Sequence, residues 1–431
     1  MKEVIRNIIL ENQFSKLPKV FPRDIEIPVN VDKIISIIGV RRSGKTYILY
    51  DTITTLLDIG IKKEQILFLN FEDERLNLNS GNLDLILKSY QEIYPEMDFN
   101  DVYIFFDEIQ NVEGWEKFIR RIYDTKTKHI FVTGSNAKLL SSEISTSLRG
   151  RTITYTVYPL NFSEYLNFIN GSGEFRTLQE RSKLLLNQKK YLVEGSFPET
   201  IKVEGEVRLK ILQEYFNVMI FRDIIERYKI SNSGVLKFFI KKIFASVTKP
   251  FSVNKVYNDL KSLGYKISNK YLYNYQDYCD SIFLTKSTSK FDFSEIKQTK
   301  SEKKIYVIDN GLLNAIEFSM SENKGKLLEN AVCIEFFKMG IYPFYYRDYN
   351  ECDFIIKHNN ELKPVQVSYS IDNDDTRKRE FKGLHEACSF LNTSKGIIIT
   401  FEQEEKISYK GISISIIPFY KYFLKLKKHI G

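Results

Sequence analysis

Cysteine is scarce in this 431-residue chain, and the four present (Cys279, Cys333, Cys352 and Cys388) stand apart, with no Cys-x-x-Cys pair. That spacing suits neither a disulfide framework nor a zinc site, so the thiols read as core residues. Long apolar runs are missing as well: no uncharged stretch approaches the roughly 18 residues that a membrane helix needs. The opening segment MKEVIRNIILENQF carries Glu3 and Glu11 around a very short apolar run, unlike a secretory signal. On these absences the chain reads as cytoplasmic, and no membrane partner is expected. What is present is ordinary globular composition, 43% hydrophobic and 27% charged, enough for several buried cores. At about 150 residues per domain the length suggests roughly three domains. The net charge of +8 permits nucleic-acid or acidic partners without demanding them.

The strongest motif is GVRRSGKT at 39–46, where Gly39 and Gly44-Lys45-Thr46 hold the spacing of a phosphate-binding loop. The apolar run IISII before it reads as a buried parallel strand, and TYILYDTITTLLDIG after it has helical spacing. In that setting the backbone of Val40, Arg41, Arg42, Ser43, Gly44 and Lys45 wraps phosphates at a helix N-terminus. Lys45 reaches the β and γ phosphates of ATP, and Thr46 ligates Mg2+. A later strand, DVYIFFDEIQ, ends in Asp107 and Glu108. At the carboxyl end of a parallel strand, Asp107 suits the Mg2+ shell and Glu108 suits polarising the attacking water. KHIFVTGSN ends in Ser135 and Asn136, placed to sense the γ phosphate or to position water. Beyond it, Arg149 and Arg151 flank Gly150; one of them, at a subunit edge, could stabilise transition-state charge in a neighbouring copy.

These segments, with FLNFEDERL, IFFDEIQNVEGWEKFIRRIYD, SLRGRTITYTVYPLNFSEYL, YLVEGSFPE and FRDIIERY, resemble the prokaryotic, mainly archaeal, AAA-type ATPases that carry a winged-helix segment and a restriction-nuclease-like C-terminal domain. The resemblance covers nearly the whole chain. It implies ATP hydrolysis by an AAA or STAND-like core.

Residues 161–230 are helical by spacing and read as a lid. From 231 to 318 the pattern is helix, turn, helix and two strand-like pieces, a winged helix in which Ser252 caps one helix, Gly264 ends it, and Ser268 or Asn269 caps the next. Lys270, Tyr271, Asn274 and Tyr275 fall on or near one face of that second helix, types that can reach phosphates and base edges. An interaction or hinge module with inward-packed tyrosines is the other reading, since fold does not dictate function. In 319–431 a helix and three strands resemble the restriction-endonuclease-like order. Glu329 and Asp353 match the first two metal-site positions, while Gln366 and Ser368 stand where an acid and a lysine are expected. A divalent metal wants several charged oxygens, so cleavage is not expected there.

The expected fold is therefore α/β: a P-loop parallel-sheet ATPase core over 1–160, a helical lid, a winged helix and a C-terminal α/β restriction-endonuclease-like domain. The expected function is an Mg2+-dependent ATPase coupling nucleotide state to DNA, with a homo-oligomer and a protein partner also compatible. The alternatives are a STAND-like signalling or transcription-regulatory switch acting on protein partners, and an ATP-gated nuclease.

Overall fold

Strands that are apolar along their whole length must be covered on both faces. The computed structural model describes residues 1–136, 148, 150–316 and 323–427. In it, β1 (Ile34–Gly39), β2 (Ile66–Asn70), β3 (Tyr103–Asp107), β4 (Ile130–Gly134) and β5 (Thr152–Val157) form one parallel sheet, ordered β2-β3-β4-β1-β5. Among the described residues it is accompanied by helices α1 (Lys2–Phe14), α2 (Lys45–Asp58), α3 (Asp84–Ile93) and α4 (Trp115–Thr125). Helix α2 turns Ile48, Leu49, Thr52, Ile53 and Leu56 inward at helical spacing, onto Ile35, Ile37, Phe105 and Phe131 of the sheet. Because β1 lies between β4 and β5, the loop leaving β1 opens where the strand order reverses, the place at which such sheets take ligands.

The chain divides into two compact units, the first being Met1–Tyr158 with Ser281–Phe283 and the second Pro159–Asp280 with the chain from Leu284 onward. The second unit begins with helices α5 (Phe162–Phe168), α6 (Leu178–Glu194) and α7 (Gly205–Ile220), the last widening into a π-type turn over Phe221–Glu226. Helices α8 (Ser233–Ala245), α9 (Val253–Ser262), α10 (Asn269–Ser281) and α11 (Glu295–Lys300) follow, with a small antiparallel sheet of β6 (Pro250–Phe251), β7 (Thr285–Thr288) and β8 (Lys303–Val307) in the order β6-β8-β7. Ser252 caps α9 by accepting from the Lys255 amide at 3.4 Å.

After α12 (Asn310–Ile316) and α13 (Lys324–Lys338) comes a mixed sheet of β9 (Phe344–Arg347), β10 (Glu351–His358), β11 (Glu361–Val367), β12 (Lys395–Thr400), β13 (Glu405–Tyr409) and β14 (Ile412–Pro418), ordered β13-β14-β12-β11-β10-β9 and flanked by α14 (Asp374–Phe390) and α15 (Phe419–Lys427). Buried polar groups knit this unit together. Asn330 on α13 pairs through its side chain with both backbone groups of Val307 on β8, at 2.9 and 2.8 Å. Tyr191 on α6 donates to Glu335 at 2.5 Å, and Lys338 reaches Tyr191, Glu335 and the Leu160 carbonyl within 3.0 Å. The YLVEGSFPE stretch has a packing reason: Gly195 has φ 81, and a Cβ there would lie 2.1 Å from Asp309 Oδ1. The adjacent Ser196 amide donates to the same carboxylate at 2.7 Å.

Candidate nucleotide site and the acidic cluster of the second unit

The loop after β1 is fixed by sterics before any ligand arrives. A Cβ on Gly39 would fall 2.0 Å from the Val157 carbonyl oxygen, so only glycine lets the chain turn beside β5. Arg42 adopts a left-handed φ of 65, and Ser43 N donates back to Val40 O at 3.3 Å. Arg23, from the segment preceding β1, donates to Ser43 O at 2.8 Å and Tyr158 O at 2.9 Å, which pins the loop from outside. Lys45 is buried, and its Nζ contacts Gly39 O and Val40 O at 3.3 Å each and Glu108 Oε1 at 3.1 Å.

At the carboxyl ends of β3 and β4 a chain of hydroxyls orders the two acids. Thr46 donates to Asp107 Oδ2 at 2.8 Å, and Thr133 donates to Asp107 Oδ1 at 2.5 Å while accepting from the Glu108 amide at 2.9 Å. Glu108 itself sits at φ 52, a conformation that costs a non-glycine residue energy and is held by its surroundings. Burial and the neighbouring Glu108 push the Asp107 carboxyl up to about 6. Burial works against charge on Glu108 too, but Lys45, the Gln110 amide and Arg41 outweigh it and hold that carboxyl below its ordinary value. Neighbouring acids with environments this different suit different roles. Hard oxygens from Thr46 and Asp107 could hold a magnesium ion, whose charge would favour the ionised form of the raised Asp107 carboxyl. Ser135 and Asn136 are buried just past β4. Gln110, overlooked in the sequence, donates to Glu108 Oε2 at 2.5 Å and to Ser135 Oγ at 3.5 Å.

Of the two arginine candidates for a neighbouring copy's site, one is among the described residues. Arg149 lies outside the described residues. Arg151 precedes β5 and ion-pairs with Asp124 at 3.1 Å. It stands at the amino end of the sheet, roughly 20 Å from the loop at about 3.3 Å per strand residue.

In the second unit, Glu329 on α13 and Asp353 on β10 do converge, but on an amine that the sequence did not suggest. Lys304 of β8 is fully buried, and its Nζ lies 3.2 Å from Glu329, 3.4 Å from Asp353 and 2.6 Å from Glu351. Tyr306, two residues along the same strand face, donates to Glu329 at 3.0 Å. Burial alone would favour the neutral amine, but Glu329, Asp353 and Glu351 outweigh it and hold Lys304 above the ordinary lysine value. The carboxyls of Glu329 and Asp353 are raised, first by burial. Ser368 does occupy the position where the resemblance puts a lysine, and the amine that meets these acids comes instead from a different strand, which the sequence did not suggest. Gln366 is a strut, accepting from the Asp353 amide at 3.1 Å and donating to Glu380 at 2.5 Å. Ser368 donates to Ser370 O at 2.9 Å, within its own loop.

On α10, Lys270 and Tyr271 are exposed and Asn274 is half-buried. Tyr275 is corrected: it is buried against Phe239, ring centroids 6.0 Å apart. The helix turns Leu272, Tyr275 and Cys279 inward at i, i+3 and i+7 spacing, and leaves Tyr273 outside with Tyr271.

Residues 31–166 match the family profile described as an AAA domain. Two profiles described as domains of unknown function match 186–323 and 324–422. An uncharacterized protein of Methanocaldococcus jannaschii, MJ1544, is 37% identical, the alignment covering 98% of this chain and 96% of that one. The chain belongs to this family of AAA-domain proteins. An uncharacterized protein of Haemophilus influenzae, 31% identical over 89% of this chain and 92% of its own, extends the similarity to a bacterium. Among solved structures, the Walker-type ATPase PABY2304 of Pyrococcus abyssi is similar at 14% identity and a TM-score of 0.43, covering 70% of this chain and 98% of that chain. The family's AAA segment contains the loop, Asp107, Glu108, Thr133 and Gln110, and the two further segments contain Lys304 and its carboxylates respectively.

Proposed function

We propose that this protein is an Mg2+-dependent ATPase whose nucleotide state is coupled to DNA through its second unit. The observation that carries the reading is the constellation at one sheet edge: the loop with Lys45 and Thr46, Asp107 held by two threonines, and Glu108 2.5 Å from the half-buried Gln110 amide. Lys45 leaves the Gly39 and Val40 carbonyls for the β and γ phosphates as nucleotide enters. Thr46 and Asp107 would hold a magnesium ion, which would offset negative charge on the phosphates. Glu108 orients a water and takes its proton as the new oxygen–phosphorus bond forms. The bond between the γ phosphorus and the bridging oxygen breaks, and its electron pair leaves with ADP.

DNA as the coupled partner is supported by α9 and α10, where Lys255, Lys261, Lys266, Lys270, Tyr265 and Tyr271 are exposed together along a helix–turn–helix, read as a winged helix with the β6-β8-β7 sheet. Cleavage of that DNA is not part of the reading, because Lys304 fills the acidic cluster and Gln366 and Ser368 are engaged elsewhere. One observation favours a second reading, a slow nucleotide switch acting on protein partners. The 3.1 Å Lys45–Glu108 pair ties the base to the phosphate-binding lysine, so turnover requires that pair to open.

The test is steady-state phosphate release with and without duplex and branched DNA, beside Lys45→Ala and Glu108→Gln. A DNA-raised rate abolished by both substitutions supports the coupled ATPase. A slow rate indifferent to DNA hands the lead to the switch, and a rate that survives both substitutions removes the site from the reaction.

A further inference from the structure

The Arg41 side chain has so far entered only as a charge acting on Glu108. It is 17% exposed, and Nη1 donates to Glu72 Oε1 at 2.7 Å. Glu72 follows the end of β2, whose last residue Asn70 is in register with Asp107, so the pair lies at the same sheet edge as Asp107 and Glu108. Arg41 also acts electrostatically on Glu108. By contrast Arg23 spends both arms of its guanidinium on backbone carbonyls, and Arg151 is tied to Asp124 at the opposite end of the strands.

Building on the ATPase reading above, we infer that Arg41 is a charge-stabilising arginine carried in cis on the nucleotide loop, stored on Glu72 until the γ phosphate of ATP draws it away. Once there, the guanidinium spreads its charge over the γ oxygens as the bond to ADP breaks. It transfers no proton; the water's proton goes to Glu108. Glu72 is 40% exposed, and an ion pair this accessible to water is a weak competitor for a group that matches phosphate with two parallel donors. The role that the sequence suggested for an arginine from a neighbouring copy is then filled within one chain.

The experiment uses the full-length protein and measures kcat and KM for ATP, with affinity for a fluorescent ADP analogue, in wild type, Arg41→Ala, Arg41→Lys and Glu72→Gln. Both Arg41 variants are expected to lose about 100-fold or more in kcat, with ADP affinity within about threefold of wild type, because ADP lacks the γ phosphate. Retained ADP affinity also shows that the loop is folded. Lysine should not rescue, since a point charge does not reproduce the planar fork. Glu72→Gln should lower KM for ATP by removing the competitor. Turnover of Arg41→Ala within about threefold of wild type overturns the inference alone, as does an ADP affinity that falls in step with kcat. A wild type no faster than Lys45→Ala overturns this inference and the ATPase reading together.

Discussion

Thr133 is the residue on which the geometry of both acids converges. Its hydroxyl donates to Asp107 and accepts from the Glu108 amide, so one oxygen fixes a buried carboxyl and a left-handed backbone. Thr133→Val keeps the volume but leaves the Glu108 amide without that partner. The expected cost is about 1–3 kcal/mol of stability, readable by chemical denaturation, and a fall in kcat larger than any fall in ADP affinity. Equal losses in both would mean that Thr133 only builds the pocket. Lys304 poses the same question with charge. Lys304→Met leaves Glu329, Asp353 and Glu351 without the buried ammonium they share, and breaking such a buried set costs about 3–5 kcal/mol. Adding Asp353→Asn should recover part of that loss, since the two groups are 3.4 Å apart, and a purely additive double variant would show that they do not interact.

At the scale of the element, α10 separates exposed tyrosines from a buried one along one helix, and the proposed DNA contact belongs to the exposed set. Tyr271→Ala is expected to weaken DNA binding about fivefold or more while leaving the melting temperature in place, as loss of an exposed aromatic contact does. Tyr275→Ala is expected to cost about 3–5 kcal/mol as a core truncation, with the folded fraction still binding DNA. If the two variants exchange effects, the face presented to DNA is the other one. Such faces are only partly legible in sequence. The 3.6-residue period shows that Tyr271 and Tyr275 can share a side of the helix, but which side meets Phe239 depends on a helix more than thirty positions earlier. The nucleotide loop was legible because strand, loop and helix are contiguous in sequence and the motif is read within eight residues. Lys304 was hidden for the opposite reason: its partners lie 25, 47 and 49 positions downstream, and the Lys303-Lys304 pair opening a short strand looks like solvent-facing charge. Arg41 was visible as a loop residue, but its tie to Glu72 depends on the β2–β3 register.

At the scale of the molecule, the segments around β8 and α13 cannot be parted cheaply. Asn330 closes the Val307 backbone, Asn310 donates to the Leu192 and Leu327 carbonyls, and Lys304 needs acids from α13 and β10. A fragment spanning 159–316 would carry Lys304 with none of its carboxylates. It is expected to melt without a cooperative transition by circular dichroism, whereas 159–431 should show one. A sharp melt for the shorter piece would show that this polar seam is dispensable. The two units also differ in where their positive charge comes from. On the proposed reading, nucleotide at the first takes a magnesium ion from solution, so a chelator is expected to stop turnover. The acids of the second are answered by an ammonium covalently attached to the same chain, present at fixed stoichiometry and unable to diffuse away. That balance is independent of the metal supply around the protein, and a chelator has nothing there to remove.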